Sequence, residues 1–387
     1  MLDFKETIPL SLYIHLPWCV KKCPYCDFNS HEIKKSVIDE DEYIDALIRD
    51  IDFELPRIWG RQVISVFIGG GTPSLFSARA LDKLISALRS RLNIHPHIEI
   101  TLEANPGTAE AEKFKAYREL GINRLSIGVQ SFNDEKLKAL GRIHNSEEAL
   151  KAINIAKLAG FENFNLDLMF GLPNQTIKEA LDDLHIAIAQ QPTHISWYQL
   201  TIEPNTVFNS KPPKLPNDDD IWEMQSEGKN LLEKKGYTQY EVSAYALKAK
   251  QCSHNLNYWE FGDYLGIGAG AHGKITNVTE GKIERFARHK IPSRYMELSG
   301  NDAVITETKK LSRQDLPLEF MMNALRLIEG VPVHLFLERT GIPVKMIEKE
   351  LSVAEERQLI NWQLKELKPS LKGQRYLNDL LGLFVKE

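Results

Sequence analysis

The sequence predicts an α/β protein with a parallel sheet, followed by a small, mainly helical C-terminal domain. Two observations carry this. Apolar runs of strand length recur six times in the first 205 residues, in units of strand then helix, and after residue 205 that rhythm breaks. Repeated strand–helix units imply parallel pairing with right-handed crossovers, because a hairpin cannot join parallel neighbours. Six units are two short of a closed eight-stranded barrel. An incomplete barrel open on one side and an open doubly wound sheet both fit this order.

The predicted strands are "LYIHL" (12–16), "VISVFIG" (63–69), "IEITLEA" (98–104), "RLSIGVQ" (124–130), "NFNLDLMFG" (163–171) and "HISWYQLTI" (194–202). Apolar residues spaced by three and four predict helices over 41–56, 78–92, 146–160 and 177–191. "NSKPPKLPNDDD" (209–220), Pro-rich and polar, reads as a loop or lid before a helix near 219–235, and "YTQYEVSAYA" (237–246) as a further strand. From about residue 305, "PLEFMMNALRLIEG", "VKMIEKELSVAEERQLINWQLKEL" and "RYLNDLLGLFV" predict a helical domain with a short hairpin, of winged-helix kind. The expected divisions are therefore 1–205, 206–304 and 305–387.

Bulk properties exclude several classes. The 387 residues are 43% hydrophobic and 26% charged, as in ordinary soluble proteins, with no apolar run of about 18 residues that could span a bilayer. "MLDFKETIPL" has neither the basic nor the apolar region of a secretory signal, so a cytoplasmic location is expected. The net charge of −5, from 48 basic and 53 acidic residues, argues against a nucleic-acid surface. Four cysteines in such a chain do not make a disulfide framework.

Three of those cysteines, Cys19, Cys23 and Cys26, fall in "CVKKCPYC", directly after the first strand, where loops of parallel α/β folds gather into sites. A metal is the expected occupant. Zinc sites close four positions and no second CxxC exists, although His15 and His31 flank the cluster and leave a Cys₃His zinc site open. A cubane held by three thiolates would instead leave one iron open to a ligand. "GGGTPS" (69–74) lets backbone approach a ligand closely, or simply turns strand into helix, and it lacks the lysine of a P-loop. Glu103, Gln130 and Asp167 sit near the ends of three successive strands, and polar groups there must pair or face a cavity. Arg142 could supply a positive charge to such a pocket, or lie on the surface. In "HNLNYW" (254–259), His254 can ligate iron while Tyr258 and Trp259 offer flat apolar surface to a macrocycle; the plainer reading is a surface histidine beside a core aromatic pair. Cys252 reads as a buried thiol without a cluster role.

Taken in order, "YIHLPWCVKKCPYCDFNS", "GGGTPS", "LEANPG", "GVQSF", "LGRIH" and "NLDLMFGLP" resemble the radical S-adenosylmethionine (radical SAM) superfamily, in its coproporphyrinogen dehydrogenase-like branch. The resemblance implies an incomplete parallel (β/α)6 barrel. It implies that Cys19, Cys23 and Cys26 hold a [4Fe-4S] cluster whose open iron chelates the amino and carboxylate groups of SAM. Gly70, Gly71 and Thr72 would line its methionine end. Tyr13, Tyr25, Glu103, Gln130, Arg142 and Asp167 would surround the cofactor, and reduction of the cluster would cleave SAM to methionine and a 5′-deoxyadenosyl radical. The dehydrogenases of the branch carry CxxxCxxCxC, but Phe28 stands at the last cysteine here. "HNLNYW" is similar to the HNxxYW motif of the haem chaperones, the HemW group. The resemblance thus implies a protein that binds haem as cargo, through His254, and passes it to an acceptor of the respiratory machinery. An oxygen-independent coproporphyrinogen III dehydrogenase is the alternative, and an iron–sulfur protein whose cluster only staples the loop is a third reading.

Overall fold

The computed structural model describes residues 2–33, 38–108, 111–363 and 365–385. Its main sheet has twelve strands: β1 (Leu10–Leu16), β2 (Gln62–Gly70), β3 (Asn93–Ala104), β4 (Arg124–Gln130), β5 (Phe164–Phe170), β6 (His194–Gln199), β7 (Thr238–Glu241), β8 (Ala244–Ala246), β9 (Asp263–Ile267), β10 (His272–Asn277), β11 (Lys282–Arg288) and β12 (Ile305–Lys310). Strands β1 to β6 pair in sequence order, all parallel. These are the six parallel strands expected from the repeated units, in the arrangement that the family resemblance implies, with Glu40–Ile58, Ala78–Arg91, Ser146–Leu158 and Ile177–Ala189 among the crossover helices. Thr176 opens the last of these with a reciprocal capping box to Glu179. The Ala111–Glu119 helix was not predicted, since only Phe114 and Tyr117 of its nine residues are buried.

The sheet continues beyond those six strands. β9 adds parallel to the other edge of β1, and β10, β11 and β12 follow antiparallel. At the far edge β8 and β7 add antiparallel to β6. Residues 206–304 therefore extend the barrel sheet at both edges, and β12 carries it past 304. The single strand expected at 237–246 is two strands, with the chain reversing at Val242 and Ser243.

The barrel strands were read as apolar runs, yet each alternates. In β1, Leu10, Leu12, Ile14 and Leu16 pack into the core with the helices, whereas Ser11, Tyr13 and His15 point the other way. In β3 the core residues are Ile98, Ile100, Leu102 and Ala104, and Glu99, Thr101 and Glu103 take the opposite face. The concave side is thus polar and internally bonded. Ser11 and Ser65 hydroxyls lie 2.7 Å apart, and Asn165 Nδ2 donates to Ser126 Oγ and Asp167 Oδ1, both at 2.7 Å. A parallel sheet covered on both faces by hydrophobic side chains has no use for this pattern; a sheet wrapped around a site does.

An ion cluster ties the β9–β12 arm to the barrel. Arg288 of β11 donates through Nε to both Asp50 oxygens at 3.1 Å and through Nη2 to Glu54 at 2.6 Å, and all three side chains are excluded from solvent. Tyr295 adds a bond to Asp50 at 2.8 Å. Replacing Arg288 with Met leaves buried Asp50 with only the Tyr295 hydroxyl and Glu54 with Arg57, at a cost of about 3 kcal/mol. Thermal unfolding should show a clearly lowered midpoint for R288M; an unchanged midpoint would mean the pair contributes nothing net.

A second core joins helices Leu316–Ala324, Val333–Thr340, Glu348–Glu356 and Leu377–Gly382 with a three-stranded antiparallel sheet of Val331–Pro332, Glu366–Pro369 and Ile360–Gln363. The helix expected through 344–367 is broken. It stops at Glu356, Gln358 takes a left-handed turn (φ 59°), and the chain re-enters as the hairpin. Leu2, Phe4 and Ile8 belong to this same core, so the N-terminal segment docks on the C-terminal domain.

Candidate functional site

The strand ends of β1 to β6 surround a pocket of about 350 Å³. It is lined by Cys19, Cys23, Tyr25, Cys26, Gly70, Gly71, Thr72, Glu103, Gln130, Arg142 and Asp167, every predicted site residue except Tyr13 and His254. Ser126 and Tyr198 also line it and were not predicted. The period-two spacing of His194, Ser196 and Tyr198 in "HISWYQ" was the available signal.

Each cysteine has a polar neighbour. Thr72 Oγ1 donates to Cys19 Sγ at 3.5 Å, Arg142 Nη1 to Cys23 Sγ at 3.6 Å, and Ser30 Oγ lies 3.7 Å from Cys26 Sγ. Burial pushes the Cys19 and Cys26 thiols up. Tyr25 packs against Phe208 and pins the loop to a small apolar cluster that includes Leu140 and Met169.

The glycine loop is shaped by close approach. Gly71 N–H donates to Leu16 O and Thr72 N–H to Trp18 O, both at 2.8 Å, and a Cβ on Gly71 would meet Trp18 O at 2.5 Å. Gly70 N–H donates to Glu103 Oε2 at 3.0 Å. Gln130, not glycine, holds φ 71° where β4 bulges against β5, and it accepts from Tyr198 Oη at 2.8 Å. A non-glycine residue in that region stores strain, as residues at ligand sites often do. Arg142 Nη2 is anchored on Gly128 O at 2.7 Å, while its buried Nε has no partner among the described residues. Asp167 accepts from Ser126 at 2.9 Å, and burial raises its carboxyl. Burial and the neighbouring Asp167 push Glu103 up to about 7, against the Gly70 bond. Two buried carboxyls beside each other suit a cationic ligand.

The donor set fits an iron–sulfur cluster better than one ion. Around zinc, thiolate sulfurs lie about 3.8 Å apart, from Zn–S bonds of about 2.3 Å. Among the described residues the only trio of His, Cys, Asp and Glu donors within 4.8 Å of one another is Glu99, Cys252 and His254, so the three loop thiols stand wider. Neither His15 nor His31 completes them, since neither belongs to such a trio, and both nitrogens of His15 are engaged, with Tyr13 Oη at 2.7 Å and Asn29 O at 2.9 Å. A pocket with wide thiolates, an unspent guanidinium nitrogen, a glycine-cleared wall and two acids accommodates a cluster and a bound zwitterionic sulfonium.

Tyr13 lines a second, larger cavity of about 790 Å³ instead. That cavity runs from the cysteine loop to Phe67, Tyr258, Trp259, Tyr264 and His272, and it shares Cys26, Phe28 and Ser30 with the first pocket. Its inner end is closed by the Ser253–Trp259 helix, which carries the "HNLNYW" motif. Glu99 accepts from Ser253 N–H at 3.1 Å and lies 3.2 Å from His254 Nδ1. Burial alone would raise Glu99, but the His254 bond and Arg124 outweigh it and hold it at about 2. Asn255 reaches Tyr240 Oη, which bonds His194, which bonds Asn165 beside Asp167. Asn257 bonds Ser11 and Asp263 O, both at 2.8 Å. Trp259 lies under the Arg326 guanidinium at 4.4 Å.

His254 thus departs from expectation. It is 5% exposed, its ring centre lies 4.3 Å from that of Phe67 with the planes tilted by 33°, and it lines neither cavity. Its Nδ1 is 2.9 Å and its Nε2 3.4 Å from Cys252 Sγ. Both nitrogens are engaged with the wall rather than turned to a ligand. Cys252 is buried, as expected.

The sequence pattern of the radical SAM superfamily matches residues 13–187, and that of the HemN C-terminal domain matches 311–376. A Haemophilus influenzae protein named heme chaperone HemW is 52% identical, over 98% of each chain. The chain belongs to the HemW family of radical SAM proteins. Other proteins so named are 49% identical in Escherichia coli, covering 98% of this chain and 99% of that one, and 33% identical in Bacillus subtilis, covering 97% and 99%. The structure of coproporphyrinogen III oxidase (HemN) from Escherichia coli superposes with a TM-score of 0.82 at 23% identity, covering 98% of this chain and 90% of that one, and shows that the fold is shared. Membership in the HemW family agrees with the wide thiolate trio and the pocket of strand-end polar residues. No helix among the described residues is long and apolar enough to cross a membrane.

Proposed function

We propose that this protein is a haem carrier whose larger cavity takes the cargo and whose smaller pocket holds a [4Fe-4S] cluster on Cys19, Cys23 and Cys26 with SAM beside it. The observation that carries the reading is the aromatic cavity of about 790 Å³ that opens onto the cluster loop. Its size falls in the range of about 300–1,000 Å³ typical of sites enclosing cofactor-sized ligands. Phe67, Tyr258 and Trp259 supply flat walls, and Phe28, 64% exposed, sits between cavity and pocket. The name heme chaperone HemW, carried by relatives that match nearly the whole chain, agrees with this.

In the smaller pocket, Glu103 and Asp167 face the positive groups of SAM, Gly70 and Gly71 clear room for its methionine end, and Arg142 balances charge at Cys23. A cluster bound there supplies an open iron and an electron. Among the remaining side chains, His254 takes a positioning role: with Glu99 it fixes the start of the helix that carries Tyr258 and Trp259. The acceptor is a protein of the respiratory chain, reached in the cytoplasm. Phe28 in place of a cysteine disfavours the coproporphyrinogen dehydrogenase alternative.

Anaerobic titration of the reconstituted protein with ferric haem should saturate at one haem per chain. Trp259→Ala should weaken binding about tenfold, for about 1.4 kcal/mol of lost aromatic contact, and leave the cluster absorbance in place. No saturable binding would overturn the carrier reading and return attention to coproporphyrinogen turnover.

A further inference from the structure

Haem iron needs a ligand on at least one face, and a neutral imidazole is the commonest protein donor. Four histidines lie in or beside the larger cavity. His254 lies outside the lining with its Nδ1 on Glu99 and Cys252, and His15 has both ring nitrogens engaged; His31 lines the cavity with Nε2 donating to Lys290 O and only Nδ1 open, so it is the rival that a test must separate. His272 is the fourth. It is an exposed residue that lines the cavity, and its ring has no hydrogen-bond or ion-pair partner among the described residues.

The position of His272 is fixed although its ring is free. It opens β10 in register with Ala287 of β11. The turn before it is tight: Gly268 and Gly270 have φ of 103° and 79°, Ala271 N–H donates to Gly268 O at 3.0 Å, and a Cβ on Gly266 would strike His272 O. His272 is exposed where it lines the cavity, so a ligand can reach its ring without displacing a protein partner, and the braced backbone holds it in place. Burial, Lys290 and Arg285 lower the pKa of its ring against the pull of Glu307, which keeps it in the coordinating form.

The charges around the cavity are also uneven. Lys274 is spent on Asp263, Arg285 on Glu319, and Lys22 on the carbonyls of Phe28 and Ser30. Lys290 lines the cavity and its ammonium has no partner among the described residues, with Asp27 the acidic group of the lining. An exposed cation near a free imidazole matches a flat ligand that carries iron at its centre and carboxylates at one edge.

We infer that His272 is the protein ligand to the iron of haem held in the larger cavity, with Lys290 facing the haem carboxylates. This rests on the carrier reading above. The test is a ferric-haem titration of the full-length reconstituted protein, followed by the Soret band and electron paramagnetic resonance, beside His272→Ala, His272→Gly, His272→Met and His254→Ala. His272→Ala should lose the imidazole-ligated spectrum and weaken binding at least tenfold. Added imidazole should restore the spectrum of His272→Gly, which loss of mere packing would not allow, and His272→Met should shift the band to that of a thioether ligand. His254→Ala, and His31→Ala run beside it, should keep the imidazole-ligated spectrum. If His272→Ala and His272→Met bind haem with the unaltered spectrum, the inference falls and the carrier reading stands. If the unaltered protein binds no haem, the carrier reading itself falls.

Discussion

Cys23→Ala is expected to abolish the cluster: visible absorbance after anaerobic reconstitution should vanish and iron should fall from about four per chain toward zero. Two thiolates rarely retain a cubane. Cys23 is also the thiol to which Arg142 donates, so its loss leaves a largely buried guanidinium bonded to Gly128 O alone among its former protein partners. SAM binding through an open iron should disappear with the cluster. Haem binding should persist, because the larger cavity does not include Cys23. Survival of the absorbance and the iron in this variant would refute the thiolate assignment.

Glu103→Gln should separate stability from ligand binding. The Glu103 carboxyl is raised from its ordinary 4.5 to about 7 by burial and by Asp167. Below pH 4.5 the group is protonated in both folded and unfolded chains. Between 4.5 and 7 the unfolded chain ionises first, so the contribution of Glu103 to stability falls as pH rises, and above 7 the folded state carries the unfavourable charge. Glutamine keeps an acceptor for Gly70 N–H without that charge. At pH 8 the variant without SAM should be more stable by about 2 kcal/mol, less than the full shift implies because the group faces a cavity open to water, and at pH 4 the gain should vanish. SAM binding runs the other way. Its ammonium and sulfonium favour the carboxylate, so affinity for the unaltered protein should fall as pH drops below about 7, with a proton released on binding there. Calorimetry in two buffers of different ionisation enthalpy measures that proton. A Gln variant that binds SAM as tightly as Glu103, with the same proton release, would remove Glu103 from the site.

Much of the frame was legible because it is local. The six barrel strands and their principal helices follow from apolar spacing, and ten residues of the smaller pocket, from Cys19 to Asp167, lie within or directly after those strands, with Arg142 in the following loop. The alternation of Ser11, Ser65, Glu99, Ser126 and Asn165 was equally local, but it was masked by reading each strand as one apolar run. What escaped was tertiary. His254 sits in a motif that suits a ligand, yet docking of its helix against β2 and β3 turns the ring onto Phe67 and Glu99, and no spacing encodes that. The larger cavity is made where the cysteine loop meets β9 to β11, segments about 240 residues apart, and His272 has meaning only there. In the C-terminal domain, helical spacing ran on through 344–367 because Ile360 and Trp362 continue the apolar count, while the left-handed Gln358 ends the helix.

The place of β1 in the sheet has a consequence for how the chain is made. This first strand is central, and one of its edges is covered only by β9, with Leu10 paired to Asp263. On a ribosome adding about 5–20 residues per second, that edge waits roughly 13–50 s for its partner. The Leu2, Phe4 and Ile8 side chains wait longer still, for a core completed by Phe384. Through that interval a nascent chain shows an open hydrogen-bonding edge and an unclaimed apolar head. Exposed edges and apolar segments of this kind favour aggregation, so slowing translation before residue 263 should lower the soluble yield.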